Sequence, residues 1–194
     1  MAYSVWDVPL FVYICIMKPE ELIHRYCKGN AALENILLKH SSDVANRALK
    51  IADKHPEFNI DKQFLYEAAM LHDIGIVNVD APTISCFGTE PYIKHGLLGG
   101  EILRKEGFPA HARVAERHTG TGLTRKNILQ QSLPLPPADY VPETLEEQII
   151  CYADKFYSKT RLDEEKTYER ALASLRKFGE DGLIVFEGWK HRFE

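Results

Sequence analysis

The sequence predicts an all-α domain. Apolar residues recur at helical spacing in one segment after another. Cap residues, Gly and Pro fall between those segments. On five of the apolar stripes a histidine or aspartate points inward. His40 lies four residues after Ile36 and three after Leu37, His72 follows Ala68 and Ala69, and Asp73 follows Ala69 by four. His95 lines up with Leu98, Gly99 and Ile102, His118 with Val114 and Ala115, and Asp154 with Ile150.

Taken in order, the elements have identifiable causes. Pro19 near a first turn, with Glu20 and Glu21 behind it, predicts a helix over about 19–28. Asn30 is a suitable N-cap for a long helix over 31–54, whose stripe runs Leu33, Leu37, Val44, Ala48, Ile51. Asp61 caps 62–73, where Gly75 reads as a C-terminal glycine. Helices follow over 92–106 and 110–118. The stretch 129–143 carries Pro134, Pro136, Pro137 and Pro142 and is read as a loop that borders any pocket fed by the next helix. Thr144 and Glu147 form a capping box for 144–159, with the stripe Ile149, Ile150, Ala153, Phe156. A last helix is expected over 165–178; the tail after Gly179 has no clear period.

Composition narrows the function classes. At 194 residues the chain is long enough for one domain with a sizeable core. The net charge of −4, with mixed signs and no basic block, argues against a nucleic-acid polymer as partner. Cys15, Cys27, Cys86 and Cys151 show no close pairing and read as free thiols of a cytoplasmic protein. Residues 1–17 read as an N-terminal extension and 18–194 as a single domain. The apolar run Val8–Met17 is too short for a membrane span, which needs ~20 residues, and lacks the basic flank of a signal peptide. Either Met17 is the start, or residues 1–16 are an arm that packs on the domain or joins a homo-oligomer.

The inward polar residues carry the chemistry. Taken singly, a His on an apolar face is a hydrogen-bonded core residue, and Asp73 or Asp154 could cap a helix or pair with Arg. His40, His72, Asp73, His95, His118 and Asp154 together are a different case, because buried charges need counter-charges or metal ions. Carboxylates and imidazoles without a thiolate pair favour one or two divalent or trivalent ions, Fe or Mn first, with Zn, Co, Mg and Ni also compatible. The wide spacing excludes a local zinc clip.

The order His40, His72-Asp73, Asp154 resembles that of the HD-domain metal-dependent phosphohydrolases. His95 and His118, inserted between the doublet and the last Asp, resemble the two-metal branch. Lys39-His40-Ser41-Ser42-Asp43-Val44-Ala45, Leu71-His72-Asp73-Ile74-Gly75, His95-Gly96-Leu97-Leu98-Gly99 and Arg117-His118-Thr119-Gly120 are similar to the motifs of small HDIG-type hydrolases, over about residues 18–160. The resemblance implies an HD-domain helical bundle with a metal centre between core helices. His40, His72, Asp73 and Asp154 would hold one ion and Asp73, His95 and His118 the other, with Asp73 bridging and a hydroxide between the ions as nucleophile. The implied activity is hydrolysis of a nucleotide or small phosphate ester. Lys155, beside Asp154, is then a candidate catalytic residue. Lys94, Arg117 and Thr119 are candidate substrate contacts; Thr121 is a further hydroxyl, and Arg125 and Lys126 read as an exposed face. Two alternatives stay open: a di-iron oxygenase, which similar ligands serve in this superfamily, and a nucleotide-sensing module without turnover.

Ile76 stands where relatives that cleave cyclic dinucleotides carry Lys, and the Gly-Tyr-Pro run of those relatives is missing. The chain is therefore expected not to linearise cyclic di-GMP with Mn2+. Chromatography showing rapid conversion would remove the diagnostic value given to Ile76.

Overall fold

Four helices bring residues to the doublet His72-Asp73 in the computed structural model, which describes residues 18–176 and 179–194. The N-terminal run and its alternative start lie outside the described residues. Helix α1 (Pro19–Tyr26) packs on α2 (Ala31–Lys54) and α3 (Lys62–Leu71). Asn30 and Asp61 accept from Leu33 and Phe64 backbone N–H groups at 3.1 and 3.0 Å, the expected capping bonds. A tight 3-10 turn over Ile74–Asn78 and a two-residue hairpin, β1 (Asp80–Ala81) and β2 (Cys86–Phe87), lead to α4 (His95–Lys105) and α5 (Pro109–Arg117). Then come α6 (Arg125–Gln130), α7 (Leu145–Asp154), α8 (Tyr168–Leu175) and α9 (Glu180–Phe193). The architecture is all-α, with one small hairpin.

The core runs through α1–α5, α7, α8 and α9, from Ile23, Leu37 and Val44 to Leu65, Leu71, Ile149, Phe186 and Phe193. Thr144 and Glu147 form the capping box of α7. Several boundaries depart from expectation, each for a physical reason. Helix α7 stops at Asp154, not at 159, because Lys166 Nζ donates to the Lys155 and Tyr157 carbonyls at 3.1 Å each, in place of further helical N–H groups. The tail holds α9, whose Phe186, Trp189 and Phe193 recur at three and four residues. A weak period had hidden it, because Ile184 and Val185 are exposed.

Gly75 is also not a helix cap. It sits inside the 3-10 turn, buried, where a Cβ would meet the His95 carbonyl oxygen at 2.0 Å and the Gly99 nitrogen at 2.3 Å. The missing side chain lets the turn after Asp73 lie directly on the first turn of α4. Gly96 does the same toward α5, where a Cβ would lie 2.7 Å from the Ala115 carbonyl oxygen. These contacts bring His95 and His118 to the doublet.

Gly75→Ala should lower stability by about 3 kcal/mol or more, since only backbone can move away. Gly188→Ala, on the exposed side of α9 with nothing within 4 Å, should be stabilising by about 0.5–1 kcal/mol. Urea denaturation of both variants checks this; equal midpoints would disprove the close contact.

Candidate metal centre and its cavity

Most of the inward residues sit at helix ends. His72 and His118 follow the last residues of α3 and α5, His95 opens α4, and Asp154 closes α7, while His40 stands within α2. Three of the rings share one local bond. His72, His95 and His118 direct Nδ1 at the carbonyl three residues back, of Ala69, Tyr92 and Ala115, at 2.6, 2.7 and 2.7 Å. A carbonyl only accepts, so each Nδ1 carries the proton, and whenever the ring is neutral its lone pair is on Nε2.

Those lone pairs converge on Asp73, which is fully buried. Its Oδ2 lies 3.0 Å from His40 Nε2 and 2.9 Å from His72 Nε2; its Oδ1 lies 3.3 Å from His118 Nε2 and 3.5 Å from His95 Nε2. Asp154 Oδ1 joins the first group, 3.1 Å from His40 and 3.5 Å from His72. The Nε2 atoms of His95 and His118 face each other at 3.0 Å. Despite this crowding, both nitrogens of His40, His72 Nε2 and both oxygens of Asp73 make no aligned hydrogen bond among the described residues. Nitrogen and oxygen donors gathered in this way, and left without aligned partners, fit a cation at their centre. Two overlapping sets result: His40, His72, Asp73 and Asp154, and Asp73, His95 and His118, each with its atoms within 4.8 Å of one another.

The electrostatics agree with that fit. Burial, followed by the neighbouring His118, pushes His95 down to about 3. Burial also lowers His118, against the pull of Asp73. These two rings remain neutral ligands. Burial opposes charge on His72 too, but the Asp73 and Asp154 carboxylates outweigh it and raise the ring to about 9. Burial would raise Asp73 and Asp154, yet Lys159 beside the first and Lys155 beside the second hold both well below the usual carboxylate range. The side of the centre near His40 and His72 thus favours positive charge strongly.

A cavity of about 420 Å³ opens onto the centre, lined by Tyr92, His95, Thr119, Asp154, Lys155 and Lys159, among others. The Tyr92 ring stacks on His95, with centroids 4.8 Å apart. The structure brings all six expected ligand residues together, with Lys155 and Thr119 at the cavity wall. Lys155 Nζ lies 2.6 Å from Asp154 Oδ2 and donates to the His118 carbonyl at 3.2 Å.

Lys94 and Arg117 do not reach the cavity. Lys94 pairs with Glu90 at 2.6 Å, and Arg117 with Glu143 at 2.7 Å and the Val141 carbonyl at 3.2 Å. Adjacent helical positions point about 100° apart, so a neighbour of an inward His faces elsewhere. Thr121 is buried near Gly182 of α9 rather than at the cavity. No residue of 129–143 lines the cavity either; the loop is drawn toward α5 by Arg117 and toward Leu123 by Tyr140. Lys159 went unnoticed in the sequence. A helix continued to 159 would have turned it away from Asp154, and only the end of α7 at Asp154 redirects it. Lys159 Nζ lies 2.5 Å from Asp73 Oδ2.

Comparison with known proteins agrees with this geometry. The family model described as HD domain matches residues 37–158. An uncharacterized protein of Methanocaldococcus jannaschii is 35% identical over 150 residues, 74% of this chain and 80% of that protein. Two relatives are named tRNA (cytidine(56)-2'-O)-methyltransferase. That of Picrophilus torridus is 35% identical over 130 residues, 66% of this chain and 33% of the relative. That of Thermoplasma volcanium is 30% identical over 174 residues, 89% of this chain and 44% of the relative. The chain thus spans less than half the length of these two methyltransferases. No solved structure matches. Among the described residues no helix is long and apolar enough to cross a membrane.

A cation that binds only the folded centre stabilises it by mass action, about 2.7 kcal/mol at a hundredfold excess over Kd, which raises the denaturation temperature of a chain this size by about 5–10 °C. Scanning calorimetry with Mn2+ and with chelator should show this for the native protein and for Lys94→Ala, and not for His72→Ala. An undiminished rise in His72→Ala would show that the ion binds elsewhere.

Proposed function

The chain belongs to the HD-domain family, and from that premise we propose that it is a metal-dependent phosphohydrolase acting on a nucleotide or another small phosphate ester. The observation that carries this reading is the Asp73 carboxylate, buried, with two imidazole Nε2 atoms on each oxygen and no aligned hydrogen bond on either. His40, His72, Asp73 and Asp154 would hold one ion, and Asp73, His95 and His118 a second. Two such cations lower the pKa of water and stabilise the attacking and leaving oxygens of a phosphoryl group.

The chain's own residues supply the rest. The Nδ1 bonds of His72, His95 and His118 hold the three rings in one tautomer and orientation. Lys155 keeps Asp154 ionised and in place, and its ammonium at the cavity wall can give positive charge or a proton to a leaving alkoxide. The Thr119 hydroxyl, at the same wall, can donate to a phosphoryl oxygen. The Tyr92 ring offers an apolar face to a base or sugar. A cavity of about 420 Å³ suits a mononucleotide-sized ligand and not a folded polymer. Carboxylate and imidazole donors without a thiolate are compatible with Fe and Mn, as with Zn, Co, Ni and Mg.

A phosphate-ester panel with Mn2+ or Fe(II), with dioxygen uptake read in parallel, tests the reading. The names of the two methyltransferases put 2′- and 3′-nucleotides on that panel. We expect phosphate release from at least one ester without oxygen consumption; metal-loaded protein inert toward the whole panel would speak against hydrolysis.

Asp73→Ala and Asp154→Ala should differ in kind. The first removes a ligand from both sets and leaves two cations facing each other without their shared anion, so metal content and turnover should both fall to near zero. The second should retain about one equivalent at His95 and His118 and lose turnover. Plasma emission decides between them; full occupancy in Asp73→Ala would mean that Asp73 does not bridge.

A further inference from the structure

Lys159 is out of place in a centre that takes up cations. Its ammonium, 2.5 Å from Asp73 Oδ2, contacts the same oxygen that His40 and His72 approach. The side chain is only 12% exposed, and it lines the cavity. It stands beside the Tyr92 phenol, whose pKa burial raises against the pull of the Lys159 charge. No motif or catalytic role assigned above uses this residue.

Counting charges shows what its contact does. Asp73 and Asp154 contribute two negative charges, and Lys159 and Lys155, one on each, contribute two positive charges. The two ammonium groups thus match the two carboxylates one for one. Two divalent ions would add four positive charges and place one of them on the oxygen that Lys159 now holds. An ammonium and a divalent ion a few Å apart in a poorly solvated site repel each other strongly. One of the two lysines must then find another anion. Lys155 is tied down twice, by Asp154 and by the His118 carbonyl. Lys159 has Asp73 alone as its ion-pair partner among the described residues, on a four-carbon stem with a cavity in front of it.

We propose that Lys159 exchanges partners: it neutralises Asp73 whenever no ion is bound there and binds a phosphoryl oxygen of the substrate once ions are. It is thus a competitor of the first metal ion and a phosphate-binding residue in turn. This rests on the phosphohydrolase reading for its ligand, but its readouts are binding measurements and need no turnover.

The test is calorimetry on the full chain with Mn2+, and then with inorganic phosphate added to the Mn2+-loaded protein. Lys159→Met removes the competing cation and the phosphate partner together. Mn2+ should bind about tenfold more tightly, and phosphate about tenfold or more weakly, than in the native protein. Lys159→Arg, which keeps the charge, should hold phosphate within about threefold of the native value. Should Lys159→Met fail to fold by circular dichroism, Lys159→Gln, close in shape and uncharged, is read in its place. Phosphate bound equally well by the uncharged variant overturns the proposal, as does Mn2+-loaded native protein that does not bind phosphate. Native protein that takes up no Mn2+ or Fe(II) would instead overturn the metal reading on which both rest.

Discussion

One buried carboxylate organises this molecule. Asp73 has no exposed surface, and a charge in such a place is expelled unless opposite charge gathers around it. The Lys159 ammonium supplies it from the segment after α7, and four imidazoles complete the surround from α2, the ends of α3 and α5 and the start of α4. The bundle can bring these ends together only because bare backbone meets bare backbone at Gly75 and Gly99. A side chain at Gly75 would push α4 away and take His95 with it. The packing of the core and the composition of the centre are thus two descriptions of one constraint.

Much of the centre could be read from the sequence, since an amphipathic stripe shows direction. His40, His72, His118 and Asp154 each fall three or four residues after an apolar one, and a helix makes that spacing a shared face. The cavity wall was far less legible. Lys94 and Arg117 adjoin ligands in sequence, but the next helical position turns aside, and each has found a glutamate instead. Lys159 reaches Asp73 because α7 ends early, and that end depends on Lys166, twelve residues further along the chain than Asp154, whose bonds to two carbonyls no periodicity encodes. The same limit explains Gly75. A glycine beside a helix end reads as a cap, and only the arrival of a distant helix shows that its role is closeness.

The two sides of the centre differ in access. His40 and His72 are enclosed by core, while His95 and Asp154 form part of the cavity wall. A ligand in the cavity therefore meets both sets, one through Asp154 and the other through His95. His40 and His72, within the core, hold position behind that wall. Tyr92 joins the two roles: its carbonyl orients the His95 ring, and its own ring stacks on that imidazole at the cavity.

The paired lysines bear on the order in which this protein matures. Small zinc modules stay unfolded until their ion arrives, because the free energy of binding the ion is what folds them. Here Lys155 and Lys159 lie against the two carboxylates, so the chain can complete its folding with nothing bound. An ion would then be taken up by a finished scaffold, through ring orientations already set, and not by a nascent chain collapsing around whichever ion it meets first. For such a protein, the ion found after purification reports the supply at the moment of loading as much as the preference of the ligands.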